Sequence, residues 1–487
     1  MGELKNLNFR FIFHILGAIL IFEGLFMILA LFFAFYYRGH EFQGILESLL
    51  ITTGSGMLLF LLTSRNTRQE LQVREAFILV SFSWITLCLF GTLPYALSHS
   101  IPRYIDAVFE TVSGFTTTGS SILKDIEVMP RGVLFWRSET HFIGGMGIIV
   151  LALAVLPALR FGGTQLFAAE SSVVVQEKIR PRMIEVAKRL WGIYILLTVV
   201  EAGLLYLGGM PVYDSLCHAF GTIATGGFST KNTSIGGYSP YIQYVVMIFM
   251  FLAGINFIMH YFALRGRLRD VIRNEEFKAY FFIMLFAGLA VTLILIFKQK
   301  LNFESAFRYG YFQVVSILTA TGFSTADYLV WPLPAWLIIF MLMFIGACSG
   351  STGGGIKVIR HVILFKRLFS NLKQAMHPRG IILLRYNGRS ISDEVVHTVI
   401  SFILFYLMVF GSGTLIMTAI GLDIRSAAGS VITCLGGIGP GIGSVGPAGN
   451  FAHVPEFGKI FLSFIMVLGR LEIYSLLVLL TPGFWTA

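Results

Sequence analysis

Ten apolar runs dominate this sequence, each long enough to cross a lipid bilayer. At about 1.5 Å rise per helical residue, some 20 apolar residues span the roughly 30 Å hydrocarbon layer. Runs of that length occupy 9–37, 44–62, 76–97, 133–156, 190–208, 242–264, 277–297, 333–365, 395–420 and 457–480. In water they would have to hide beneath a charged surface, and the composition supplies none. Of all residues 56% are hydrophobic and 13% charged, against about 25% charged in ordinary soluble domains. A soluble enzyme, a disordered chain and a fibrous repeat are excluded. The expectation is an all-α integral membrane protein with ten transmembrane helices, in contact with lipid.

The net charge of +10 sits between the apolar runs and not on one soluble face, so no nucleic-acid partner is expected. Of the 36 Lys and Arg, 24 fall in the N-terminal tail and in the connections 65–74, 160–189, 265–278 and 357–389. Eleven fall on the opposite side. Positive charge stays on the cytoplasmic side, which predicts that both termini are cytoplasmic. The run 9–37 is too long for a signal-peptide core and no small-residue cleavage site follows it, so no cleavable signal is expected. Cys88, Cys217, Cys348 and Cys434 stand in apolar stretches without paired spacing and read as small core residues.

Between some spans lie semi-apolar stretches of about 12 residues, at 104–115, 212–223, 307–318 and 424–435. They are too short to cross a bilayer and read as re-entrant segments opening outward. After the first two spans the order span, short segment, span recurs four times. This divides the chain into an N-terminal pair (1–74) and four units at 75–185, 186–274, 275–392 and 393–487. Each short segment runs into a glycine-containing loop: Thr116-Thr117-Thr118-Gly119-Ser120-Ser121, Ala224-Thr225-Gly226-Gly227-Phe228-Ser229-Thr230, Thr319-Ala320-Thr321-Gly322-Phe323-Ser324-Thr325 and Gly436-Gly437-Ile438-Gly439-Pro440-Gly441. The shared Gly-Phe-Ser-Thr aligns Gly227 with Gly322, and position aligns Gly119 and Gly439.

A cation that leaves water needs other oxygens, and rings of inward-turned backbone carbonyls can supply them. Glycine adopts the required backbone cheaply, which accounts for one glycine in register per loop. A tight turn alone would explain one such loop; four in register point to a four-fold ring.

These four units and loops resemble the Trk/Ktr/HKT superfamily of potassium transporters. The stretch Phe135-Trp136-Arg137-Ser138, running on to Gly144-Gly145-Met146-Gly147-Ile148, is similar to the second helix of that family's first repeat. The two extra N-terminal spans resemble its TrkH/TrkG branch, and the resemblance covers essentially the whole chain. It implies that K⁺ is bound as permeant ligand, with no other cofactor, by carbonyls of Thr117, Thr118 and Gly119; Thr225, Gly226 and Gly227; Ala320, Thr321 and Gly322; and Gly437, Ile438 and Gly439. All four loops depart from the Thr-Val-Gly-Tyr-Gly filter of tetrameric K⁺ channels, which suggests a shorter, less discriminating filter. Plant relatives favouring Na⁺ carry Ser at the first glycine, so Gly119 argues for K⁺. The resemblance further implies a bacterial cytoplasmic membrane, a homodimer, and a cytosolic ring regulator of the TrkA type that binds nucleotides.

The run 333–365 is too long for one simple span. Its middle, Gly346-Ala347-Cys348-Ser349-Gly350-Ser351-Thr352-Gly353-Gly354-Gly355, has five glycines and no large side chain. At ~1 kcal/mol per glycine it cannot hold a helix. It reads either as a kink between packed helices or, as the resemblance implies, as a movable gate formed around Gly346, Gly350, Gly353, Gly354 and Gly355. Arg470 is expected in the middle of the last span, where a charge costs at least ~2.5–3.5 kcal/mol. It either pairs with a buried acid such as Glu201 or Glu23, or, as in relatives, faces the pore and raises the barrier to cations. Glu472 projects from another face of that helix. Glu110 and His218 stand nine residues before their loop glycines and read as hydrogen-bonded helpers more readily than ligands.

No nucleophile triad, carboxylate pair or metal-ligand spacing appears, and the expectation is a protein that is not an enzyme. A transporter coupling K⁺ to Na⁺ or H⁺ by alternating access stays open as the alternative, although such folds usually carry inverted repeats.

Overall fold

The computed structural model describes residues 7–64, 73–154, 179–380 and 382–486. Much of the two connections at 65–74 and 160–189 that weigh on the charge asymmetry lies outside these residues. Among these residues the fold is helical, with one two-stranded hairpin (Arg385–Tyr386 with Arg389–Ser390) closed by Asn387-Gly388. Both turn residues have positive φ, 48° and 79°, as a tight hairpin turn requires.

Six helices among the described residues are long and apolar enough to cross a membrane: Phe9–Tyr36, Phe42–Thr63, Arg74–Leu97, Glu185–Leu207, Glu275–Gln299 and Asp393–Ala419. Two further pairs reach that length only together, Pro240–Ala253 with Phe257–Leu264 and Glu456–Arg470 with Tyr474–Leu480. They bend by 101° and 111° at their breaks. The remaining two apolar runs fold differently. Residues 133–156 contribute to a helix at Arg131–Ala154, and 333–365 divides into Leu333–Leu342 and the start of Val358–Met376, with non-helical chain between.

The four short segments are helices at Tyr104–Phe115, Val212–Ile223, Phe303–Leu318 and Ile424–Gly436. Asn302 and Asp423 start the last two by accepting from the Ser305 and Ser426 amides at 2.8 and 3.2 Å. Toward their C-terminal ends these helices are enclosed: Phe109, Phe115, Val314, Ile317, Val431 and Ile432 are buried. Outside, the long helices present Phe35, Leu62, Leu207 and Phe297, each at least 70% exposed. Hydrocarbon is the solvent that suits such a surface.

Helices pack closely where glycine removes the side chain. On Phe9–Tyr36 a Cβ at Gly17 would lie 2.7 Å from the Phe60 amide, and on Phe42–Thr63 a Cβ at Gly56 would lie 2.8 Å from the Ile21 amide. Small residues that let backbones meet are the usual adhesive between membrane helices. Gly54, two residues away, faces open space. Gly17→Leu and Gly56→Leu should therefore each cost about 1–3 kcal/mol by overpacking. A lowered melting temperature in detergent is expected for both and not for Gly54→Leu; equal melting of all three would remove the close approach.

Candidate functional site

Each of the four short helices ends in the same way. Thr117, Thr225, Ala320 and Gly437 take left-handed φ of 53°, 54°, 58° and 63°. One residue on, the amides of Thr118, Gly226, Thr321 and Ile438 bond back to the carbonyls of Ser113, Gly221, Ser316 and Thr433 at 2.8–3.0 Å. This six-residue closure usually places glycine at the left-handed position. Here two threonines and an alanine occupy it, at a cost on the order of 1–3 kcal/mol each. The chain then turns through a second positive-φ residue, Gly119 (81°), Gly227 (77°), Gly322 (82°) and Gly439 (96°).

These four glycines lie against one another in a closed ring. A Cβ on Gly119 would strike the Gly226 carbonyl oxygen, one on Gly227 the Thr321 oxygen, and one on Gly322 the Ile438 oxygen. A Cβ on Gly439 would come 3.0 Å from the Thr118 oxygen, which returns to the first loop. The glycine of each loop thus lies beside the carbonyl preceding the glycine of the next. Of the twelve residues singled out, Thr118, Gly119, Gly226, Gly227, Thr321, Gly322, Ile438 and Gly439 meet across the loop boundaries, while Thr117, Thr225, Ala320 and Gly437 form the left-handed turns behind them. The sequence pattern located the glycines, whereas the left-handed Thr117, Thr225 and Ala320 carry no sequence signal, because β-branched residues and alanine avoid that conformation.

Side chains behind the ring hold the loops. Glu110 accepts from the Ile122 amide (2.9 Å), the Ser121 hydroxyl (2.8 Å) and Arg137 Nε (2.6 Å). Arg137 also donates to the Ser229 carbonyl at 3.1 Å and lies 3.4 Å from the centre of the Phe228 ring, so it ties the first loop to the second. His218 Nε2 meets the Ser229 hydroxyl at 2.9 Å, and Gln313, at the same register, donates to the Ala326 carbonyl at 2.8 Å. Glu110 and His218 are bracing groups, as their position suggested. Arg137, quoted only as part of a motif, is the residue whose bridging role the sequence concealed. Arg137→Met would strand a buried carboxylate at a cost of about 3–5 kcal/mol. In the double variant Glu110→Gln/Arg137→Met the amide oxygen still serves the Ile122 amide. Its melting temperature should recover part of the loss, and no recovery would separate Glu110 from Arg137.

The glycine-rich stretch 346–355 is non-helical and lies against the C-terminal ends of the short helices. Thr352 donates to the Ile223 carbonyl at 3.0 Å and receives from the Thr225 hydroxyl at 3.2 Å. A Cβ on Gly353 would lie 2.6 Å from the Thr319 oxygen, and one on Gly354 would strike the Gly436 oxygen. Gly350 and Gly355 turn the chain with φ of 69° and 71°, and the Gly346 amide pairs with the Ile356 carbonyl at 2.8 Å. Gly254, in the broken second-unit helix, accepts from the Cys348 amide at 3.0 Å. On the far side of the same break, the Phe257 amide donates to Gly350 at 3.2 Å. The helix break therefore leaves backbone groups that the stretch satisfies.

Arg470 departs from its expected setting. It is the last residue of Glu456–Arg470, immediately before the 111° bend, because Glu472 and Ile473 take positive φ of 54° and 62°. Its guanidinium donates to the carbonyls of Thr352 (2.7 Å) and Gly144 (3.0 Å). Among the described residues no carboxylate lies within ion-pair distance of it, Glu23 and Glu201 included. The bend carries Glu472 away to Arg360, at 2.5 Å.

Four helix C-termini facing one axis collect partial negative charge, roughly −0.5 each. Main-chain oxygens converge at the ring from all four loops, so the arrangement can stabilise a cation. Among the described residues no cluster of three His, Cys, Asp or Glu could hold a metal ion.

Comparison with known proteins agrees in kind. A family model described as TrkH, cation transport protein, matches residues 42–483. The chain is 39% identical to the Trk system potassium uptake protein TrkH of Salmonella typhimurium over 98% of its length and 100% of that protein. It is 33% identical to TrkG of Escherichia coli strain K12, covering 87% and 88%. The crystal structure of the potassium transporter TrkH from Vibrio parahaemolyticus superposes with a TM-score of 0.91 at 34% identity, covering 98% of this chain and 100% of that one. On sequence and on fold alike, the chain belongs to the TrkH family of cation transport proteins.

Proposed function

We propose that this chain takes K⁺ into a bacterial cell through the ring of four loops. The observation that carries the reading is the closed succession of glycine-to-carbonyl contacts at Gly119, Gly227, Gly322 and Gly439, set at the ends of four helix dipoles. A dehydrating K⁺ exchanges its water for the carbonyls of residues 117–119, 225–227, 320–322 and 437–439, and the charge is balanced by dipoles instead of carboxylates. The full chain makes ten spans, two in 1–74 and two in each of the four units 75–185, 186–274, 275–392 and 393–487. It lies in the cytoplasmic membrane with both termini inside. Flux is channel-like, down the electrochemical gradient. The chain works as a homodimer with a cytosolic nucleotide-binding regulator of the kind the Trk relatives suggest.

The stretch 346–355 is the gate. Its contacts with the ends of three short helices support this reading, as does Arg470, which adds a positive charge beside it.

Cation flux into proteoliposomes, compared for K⁺, Rb⁺, Na⁺ and Li⁺, tests the reading; absence of K⁺-driven flux would overturn it. Gly119→Ser and Gly322→Ser each put a side chain against a ring carbonyl and should lower the K⁺ over Na⁺ permeability ratio roughly tenfold, or ~1.4 kcal/mol. Unchanged ratios in both would take those glycines out of the filter.

Two unit charges 6 Å apart at an effective dielectric of ~20 interact by roughly 2.8 kcal/mol. Screening reduces this, so Arg470→Ala should raise K⁺ flux about tenfold, while Arg470→Lys, which keeps the charge, stays near the parent. Deleting several residues of 346–355 should likewise raise flux. A folded deletion with collapsed flux would make the stretch structural, and a poorly conducting, destabilised Arg470→Ala would do the same for Arg470.

A further inference from the structure

One carboxylate holds both limbs of the glycine-rich stretch. Glu276, in the first turn of Glu275–Gln299, is fully buried. Its Oε1 accepts from the Ser349 amide at 2.6 Å on the descending limb and from the Ile359 amide at 3.1 Å on the returning limb. Ten residues of chain separate those two donors. The limbs touch each other in two places, through the Gly346 amide to Ile356 (2.8 Å) and the Val358 amide to Ala347 (3.2 Å). To those two backbone bonds the single Glu276 oxygen adds a tie that joins both limbs to a third element, the helix Glu275–Gln299. Glu276 itself is fixed from behind. Asn274 caps its helix through the Phe277 amide at 3.0 Å, and the neighbouring Glu275 pairs with Lys366 on the helix that leaves the stretch.

We propose that Glu276 is the clasp that keeps the stretch 346–355 closed beneath the loop ring. It acts through the limbs of the stretch, by its bonds to the Ser349 and Ile359 amides, so it is a positioning residue. Removing its oxygen leaves the half-buried Ser349 amide and the buried Ile359 amide without that acceptor and frees the limbs to separate. The effect on flux rests on the gate reading above; the clasp itself does not.

The chain carries its own reporter. Cys348 is buried next to Ser349, inside the clasped segment. In the full chain with Cys88, Cys217 and Cys434 replaced by Ala, the labelling rate of Cys348 by a water-soluble methanethiosulfonate reports separation of the limbs, and K⁺ flux in proteoliposomes reports the gate. Glu276→Ala should label at least tenfold faster and conduct several-fold faster. Glu276→Gln, whose amide oxygen can accept both amides, should stay within about twofold of the parent in both. Should Glu276→Ala not fold, Glu276→Asp, one methylene too short to reach both limbs, should still label faster than Glu276→Gln. Cys348 labelling unchanged in folded Glu276→Ala, or in Glu276→Asp if that is the only folded variant, overturns the clasp. Faster labelling with unchanged flux upholds the clasp and overturns the gate reading instead.

Discussion

A peptide carbonyl taken out of water must be offered a hydrogen or a cation, and the irregular parts of this fold are arranged around that demand. The long helices meet it internally. The four short helices cannot, because each stops inside the protein with its last carbonyls unspent. A left-handed residue at each end folds the chain back so that one carbonyl is capped by an amide five residues on, as with Ser113 and Thr118 or Ser316 and Thr321. Others are met by neighbours, as when Thr352 reaches Ile223. The loop carbonyls that follow lie against the adjacent loop's glycine, where a side chain would not fit.

The same demand links parts of the chain that are far apart in sequence. The break at Gly254 leaves an acceptor, and the Phe257 amide beyond it a donor; the glycine-rich stretch supplies Cys348 and Gly350 to them. The break after Arg470 turns its guanidinium onto the carbonyls of Thr352 and Gly144. Two bent helices and one non-helical stretch thus stand in for each other's missing hydrogen bonds. Moving the stretch would take partners at once from the Gly254 carbonyl, the Phe257 amide and the Arg470 guanidinium.

Several of the interior charges have a bounded task. Arg137 and Glu110 neutralise each other while stitching two loops together, and Lys459 of Glu456–Arg470 meets Asp106 of Tyr104–Phe115 at 2.5 Å. Arg470 bonds to two carbonyls and lies 5.8 Å from the Trp84 ring centre, and no carboxylate among the described residues pairs with it.

The sequence determined what hydrophobic length and glycine placement can determine. Apolar runs located the long helices, 12-residue runs located the short ones to within a few residues, and the loss of helix propensity at Gly346–Gly355 located the non-helical stretch. The register of Gly119, Gly227, Gly322 and Gly439 followed from repetition, since each occupies the same backbone conformation. Tertiary structure decided the rest. The strained φ of Thr117, Thr225 and Ala320 is imposed by surroundings that outweigh local preference. The bend that moves Arg470 from mid-helix to a helix end, its carbonyl partners and the reach of Glu276 to two amides ten residues apart depend on distances between elements that no local pattern encodes. Periodicity records how a segment meets its solvent, whereas a hydrogen bond between distant segments leaves no trace in the spacing of either.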